Sequence, residues 1–129
     1  MGVPRGPVLV VEDHPVNRLL IERVLEYEQL EVLSVGSIAE ARAALASTVV
    51  PVIVLDLQLP DGYGLDLARE LKADPRTASC AIVACTARRV SDEAQLARSI
   101  GCAEYVTKPI DTGRFASLIC ALLPTTVSS

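Results

Sequence analysis

The sequence predicts one α/β domain built on a five-stranded parallel sheet, doubly wound with helices on both faces. Three observations carry that prediction. The runs Val8–Val11, Val52–Leu55 and Ala81–Cys85 are apolar without alternation, as strands covered on both sides must be. Stretches with helical spacing separate them. The joins are short and marked by Pro, Gly and Asp, so the order of elements is a repeating βα series.

Each element is justified by its own residues. Strand β1 is Val8–Val11, and Pro15 after it suits the first turn of a helix. Helix α1 covers Val16–Tyr27, with Val16, Leu20, Val24 and Tyr27 at helical spacing as the expected core stripe, flanked by Leu19 and Leu25. The mixed stretch Glu31–Val35 reads as an edge strand, β2. Ser37 and Glu40 form a capping box that opens α2, an Ala-rich helix reaching Ser47. Strand β3 is Val52–Leu55, ending at Asp56 and followed by a loop punctuated by Pro60, Gly62 and Gly64. Helix α3 runs Leu65–Ala73 and stops before Pro75. Strand β4 is Ala81–Cys85, ending at Thr86. Helix α4 spans Ser91–Ile100, with Gly101 placed to end it. Strand β5, Glu104–Val106, leads to Lys108-Pro109. Asp111 caps the last helix, α5, whose face is Phe115, Leu118, Ile119, Leu122 and Leu123. Residues 1–6 read as an N-terminal extension, 7–123 as the domain and 124–129 as a free tail.

At 129 residues the chain has enough length for a single core without a disulfide or structural metal. Half its residues are hydrophobic and 22% are charged, which excludes a disordered chain. Twelve Lys plus Arg against sixteen Asp plus Glu give a net charge of -4. That balance argues against direct nucleic-acid binding, and the absence of Trp with one Phe and three Tyr argues against base stacking. The longest apolar run, Val49–Leu55, holds Pro51 and is far below the roughly 20 residues a membrane span needs. No apolar segment of the signal-peptide kind precedes β1. Cys80, Cys85, Cys102 and Cys120 form no C-x-x-C pair and read as reduced thiols among apolar neighbours, so a cytoplasmic location is expected.

The informative pattern lies at the end of each strand. Glu12 and Asp13 come after β1, Asp56 after β3, Thr86 after β4 and Lys108 just after β5. Ligands of open α/β sheets bind beyond the carboxyl ends of the strands, so three carboxylates, a hydroxyl and an ammonium converge on one edge. Singly, each has an ordinary explanation as a turn residue, a strand end or a solvated charge. Crowded carboxylates repel, and a hard divalent cation such as Mg2+ relieves that repulsion, commonly with phosphate oxygens completing its shell. Together these are the parts for phosphoryl transfer to a carboxylate, where positioning and charge neutralisation do most of the catalysis.

Four motifs then bring a family into view: VLVVED (Val8–Asp13), VLDLQLPDGYG (Val54–Gly64), CTA (Cys85–Ala87) and YVTKP (Tyr105–Pro109). In this order and spacing, over Pro7 to about Leu123, the chain resembles the receiver domain of two-component and phosphorelay response regulators. The resemblance implies a flavodoxin-like sheet of strand order 2-1-3-4-5. It implies Asp56 as phosphoacceptor, Asp13 as a direct Mg2+ carboxylate, Glu12 acting through metal-bound water, and the Gln58 backbone carbonyl completing the protein's share of the metal site. Thr86 matches the hydroxyl that moves to the phosphoryl group, with Ala87 leaving it room. Lys108 matches the lysine that pairs with the phosphate, with a cis Lys108-Pro109 bond, and Tyr105 matches the aromatic that swings inward with Thr86. Gln58 and Arg88 stand where the family tunes phosphoryl lifetime.

The mechanism implied is delivery of a phosphoryl group from a phosphohistidine on a histidine kinase or phosphotransfer protein to Asp56. The new charge then draws in Thr86 and Lys108 and switches the α4-β5-α5 surface. A phosphorylation-dependent homodimer through that surface is a further implication. The protein is then a regulatory phosphoacceptor that assists its own chemistry, not a metabolic enzyme. Glu12 stands where Asp is commoner, and the Pro60–Gly64 loop is shorter in apolar content than the frequent version. Glu12–Arg18 looks like receivers of hybrid kinases and phosphorelays. His14 reads as a solvated helix-start residue, and Asp61 and Asp66 as parts of the loop and the next helix. A Mg2+-dependent aspartyl-phosphate phosphatase would want an acid where Gln58 stands. An FMN carrier would want a phosphate loop where Glu12 and Asp13 stand. A degenerate receiver that binds partners without phosphorylation is the remaining alternative.

Overall fold

The structure is a computed structural model and describes residues 2–4, 6–88 and 90–127. Its core element is a five-stranded all-parallel sheet: β1 Val8–Val11, β2 Val32–Val35, β3 Val52–Asp56, β4 Ala81–Thr86 and β5 Glu104–Thr107. The spatial order is β2-β1-β3-β4-β5, the order the resemblance implied. Every residue of β1 and β3 is buried, which explains their unbroken apolar runs, whereas the edge strand β2 is half-buried throughout.

Period-two alternation splits the core in two. Leu9, Val11, Ile53, Leu55, Ile82 and Ala84 point to one face, covered by α2 (Ile38–Ser47), α3 (Gly64–Ala73) and α4 (Ser91–Ile100). Val8, Val10, Val52, Val54, Val83 and Cys85 point to the other, covered by α1 (Pro15–Tyr27) and α5 (Thr112–Leu122). Phe115 and Ile119 anchor α5 there, as expected from their spacing.

Helix ends obey local chemistry. His14 is the exposed N-cap of α1, its Nδ1 accepting from Asn17 N–H, and Pro15 takes the first helical position. Ser37 Oγ accepts from Glu40 N–H, and Glu40 Oε1 accepts from Gly36 N–H, a capping box shifted by one residue. Gly101, at φ +112°, closes α4 in the left-handed conformation that glycine adopts without strain.

Two readings are corrected. The buried stripe of α1 is Ile21 and Leu25, with Val24 packing alongside; Val16, Leu19, Leu20 and Tyr27 are exposed. Apolar residues surround much of this helix, so spacing alone admits more than one stripe, and contact with Val8 and Val10 selects Ile21/Leu25. Within the expected free tail, 124–129, Thr125–Val127 forms an antiparallel ribbon with Gly2–Pro4, and 128–129 lie outside the described residues. Thr and Val favour strands, and parallel winding leaves both chain ends on the same side of the domain. A second small ribbon, Gln58–Leu59 with Gly62–Tyr63, shapes the loop after β3.

Candidate functional site

The site lies beyond the carboxyl ends of β1, β3, β4 and β5. Strand parity sets which side chain goes where. Val10, Val54 and Val106 face α1 and α5, so Glu12, Asp56 and Lys108, two residues on, fall on that same side. Ala84 and Tyr105 pack on the opposite side, which places Thr86 and Thr107 there too.

On the first side the charges meet. Lys108 Nζ donates to Glu12 Oε1 at 2.5 Å and stands 3.3 Å from Asp56 Oδ1. Glu12 is 1% exposed and Asp56 6%. Glu12 Oε2 accepts from His14 N–H at 3.1 Å, and Asp56 Oδ1 accepts from Gln58 N–H at 3.2 Å. Asp13 is exposed, and one carboxylate oxygen each from Glu12, Asp13 and Asp56 lies within 4.8 Å of the others. Burial raises the Asp56 pKa to about 6; the Gln58 N–H and Lys108 oppose that rise, while the Glu12 charge adds to it. Burial works against the Lys108 charge, but the Glu12 hydrogen bond and the Asp56 charge outweigh it and raise its pKa. Three carboxylates thus share one ammonium, and a divalent cation would balance the excess. Oxygen-only donors in a partly open cluster fit Mg2+. The Lys108-Pro109 bond is cis, as expected.

On the second side hydroxyls dominate, and those of Thr86 and Tyr105 bond to Arg88, Val90 and Glu93. Thr86 is 5% exposed; its Oγ1 donates to Arg88 O at 3.1 Å and accepts from Arg88 N–H at 3.4 Å. Tyr105 OH donates to Glu93 Oε1 at 2.6 Å and accepts from Val90 N–H at 3.3 Å. Tyr63 OH donates to the other Glu93 oxygen. Burial, then that contact with Glu93, pushes the Tyr63 phenol well above its ordinary pKa. Glu93, on the first turn of α4, therefore links the acceptor loop to β5.

The acceptor loop is held on its other flank as well. Asp61 accepts from Ile38 N–H at 2.9 Å and Ala39 N–H at 3.0 Å, which lowers its pKa and caps α2 from the loop. A Cβ on Gly64 would lie 2.4 Å from Asp56 O, so only glycine lets α3 start this close to β3. The motifs point to Asp56, Glu12, Asp13, Gln58, Thr86, Tyr105 and Lys108, and all stand at this edge. Tyr63 and Thr107 lie inside two of the motifs but receive no role from them, Glu93 lies outside all four, and nothing in the motifs reveals that Asp61 serves the preceding helix. A Tyr two residues after the Pro-Asp turn and a Glu in the first turn of α4 carry no recognisable spacing; only the fold brings them together.

Comparison with known proteins decides the family. The model of the response regulator receiver domain matches residues 8–119. The chain belongs to the response regulator receiver domain family. Curated relatives agree. The response regulator protein PilR of Pseudomonas aeruginosa is 34% identical over 119 residues; the match takes 92% of this chain and 26% of PilR. The polar-differentiation response regulator DivK of Brucella ovis is 30% identical over 116 residues, 90% of this chain and 94% of DivK. The chain therefore spans about a quarter of one relative and nearly all of another.

Among solved receivers, that of a histidine kinase from Syntrophus aciditrophicus superposes with a TM-score of 0.84 at 26% identity, covering 92% of this chain and 90% of that one. The receiver of the sensor histidine kinase PA1611 from P. aeruginosa, with a magnesium ion coordinated in its active-site cleft, gives 0.81 at 25% identity, covering 91% and 96%. This receiver is thus a two-component signalling domain with an acidic pocket, regulatory in kind. Among its described residues no helix is long and apolar enough to cross a membrane, and all four cysteines are free.

Proposed function

We propose that this receiver accepts a phosphoryl group on Asp56 from a phosphohistidine of a histidine kinase or histidine phosphotransfer protein. The observation that carries the reading is the Lys108 ammonium set between buried Glu12 and Asp56, with Asp13 completing an acidic cluster. Asp56 is the nucleophile: it is buried, yet its Oδ1 is held by Gln58 N–H and faced by a cation. Mg2+ would be held by Asp13, Asp56 and the Gln58 carbonyl, with Glu12 reached through water, and when bound supplies charge neutralisation between carboxylate and phosphoryl oxygens. Lys108 offers the donor for one phosphoryl oxygen, and Thr86, once turned from Arg88, offers another.

The added charge of about −1.5 to −2 pulls Thr86 across the sheet edge and, through Val90 and Tyr105, shifts α4 and β5. The α4-β5-α5 surface is then the output, for a downstream protein or a second copy of this chain. Exposed Val16, Leu19 and Leu20 begin three residues after Asp13, so a helical, histidine-bearing partner lying on α1 would bring its phosphoryl group to the cluster.

The test uses a phosphorylated histidine phosphotransfer domain as donor. Label moving to this chain as a hydroxylamine-labile adduct, absent from Asp56→Asn, supports the reading. Intact binding to the donor with no transferred label supports the degenerate, binding-only alternative instead.

A further inference from the structure

Among the described residues, Thr107 Oγ1 is the one buried side-chain oxygen or nitrogen with no hydrogen-bond partner. Its register partner across the β4/β5 pair is Thr86. Both fall on the α3/α4 side by strand parity, and paired strands lie about 4.8 Å apart, so their side chains stand abreast. In the arrangement seen, Thr86 Oγ1 has both its donor and an acceptor position taken by Arg88. One lone pair of Thr86 Oγ1 remains, but with Thr86 turned to Arg88 no hydrogen bond forms between it and Thr107 Oγ1. A buried hydroxyl without a partner costs stability, and such groups call for an explanation in another state of the molecule.

We propose that Thr107 is a positioning residue for the phosphoryl group on Asp56: it donates to Thr86 Oγ1 once Thr86 leaves the Arg88 loop. The proposal rests on Asp56 being the phosphoacceptor. Thr86 has a single hydroxyl hydrogen, and a phosphoryl oxygen takes it. Its lone pairs then need a donor, and Thr107 O–H is the neighbouring one. The resulting chain, Thr107 O–H to Thr86 O–H to phosphoryl oxygen, polarises each bond in turn and fixes the Thr86 rotamer. Thr107 itself never touches the phosphoryl group. The orphaned hydroxyl thus disfavours the resting arrangement and is satisfied in the phosphorylated one.

The test compares wild type, Thr107→Val, Thr107→Ser and Thr107→Val in a Thr86→Ala background. Melting is read without metal, and binding is read with Mg2+ and beryllofluoride as the phosphoryl mimic. Thr107→Val is expected to melt about 3 °C higher, because an unpaired hydroxyl becomes a methyl group. It is expected to bind beryllofluoride about fivefold more weakly, the size of one neutral hydrogen bond. Thr107→Ser should bind like wild type, and the Val substitution should add nothing once Thr86 is Ala. A merely structural role would move melting and binding in the same direction. Binding of Thr107→Val equal to wild type, or an undiminished loss in the Thr86→Ala background, overturns the proposal alone. Failure of wild type itself to bind beryllofluoride overturns the phosphoacceptor reading and this proposal with it.

Discussion

On the α1/α5 side of the sheet edge, Glu12, Asp56 and Lys108 are already in contact; on the α3/α4 side, Thr86 and Tyr105 bond to Arg88 and Glu93 and Thr107 has no partner. The charged side has its groups already assembled. Its cost is electrostatic: two buried carboxylates and an exposed one share one ammonium. The hydroxyl side carries no such charge crowding, but Thr86 donates to Arg88 and Tyr105 to Glu93, while Thr107 has no partner. On the proposed function, one side supplies binding and nucleophilic chemistry, and the other a movable element whose position reports what the first has bound. Period-two alternation alone puts them on opposite faces.

The largest effect should come from breaking the charged side. Lys108→Met leaves Glu12 and Asp56 buried without a cation and should destabilise the metal-free protein by about 3 kcal/mol in urea unfolding, with Mg2+ restoring part of the loss. An equal loss with and without Mg2+ would show that Lys108 acts through packing.

Next in size is the charge on Asp56. Its folded pKa, about 6, lies above the unfolded carboxylate value, so the native state holds that proton more tightly and ionisation costs stability. Asp56→Asn should match wild type below about pH 4 and become the more stable protein as pH rises to about 6. Above that the gap should be constant, on the order of 2 kcal/mol, and saturating Mg2+ should narrow it. Chemical denaturation at a series of pH values measures this directly; a gap that shrinks with rising pH would contradict the account.

Smaller effects should come from the hydroxyl side. Tyr63→Phe removes one of the two phenols on Glu93 and should cost about 1 kcal/mol of stability. It should leave Mg2+ affinity within about twofold, whereas Asp13→Asn should lower that affinity at least about tenfold. Equal damage to Mg2+ binding by both variants would erase the distinction between the sides.

Legibility in the sequence divides along the same line. The strands announce themselves because burial on both faces forbids polar residues within them, and the carboxylates stand out as the first interruptions of those runs. Strand ends are fixed points in sequence, so Asp13, Asp56 and Lys108 can be named from their positions after β1, β3 and β5. Spacing misplaces the α1 stripe because Val16, Leu20, Val24 and Tyr27 keep helical periodicity as well as Ile21 and Leu25 do, and only packing separates the two. Glu93 and Tyr63 are 30 residues apart and meet through the fold, with no local rule to pair them. Thr107 sits inside the YVTKP motif, yet an unpaired hydroxyl is a property of the neighbours it lacks, which spacing cannot display.

The central claim is that Asp56 accepts a phosphoryl group with help from a divalent cation at the Glu12–Asp13–Asp56 cluster. Intact mass after incubation with acetyl phosphate tests it most directly, in three arms: Mg2+, chelator, and Asp56→Asn with Mg2+. The account predicts one phosphoryl adduct in the first arm and none in the other two. An adduct that survives in Asp56→Asn, or that forms equally in chelator, would contradict it.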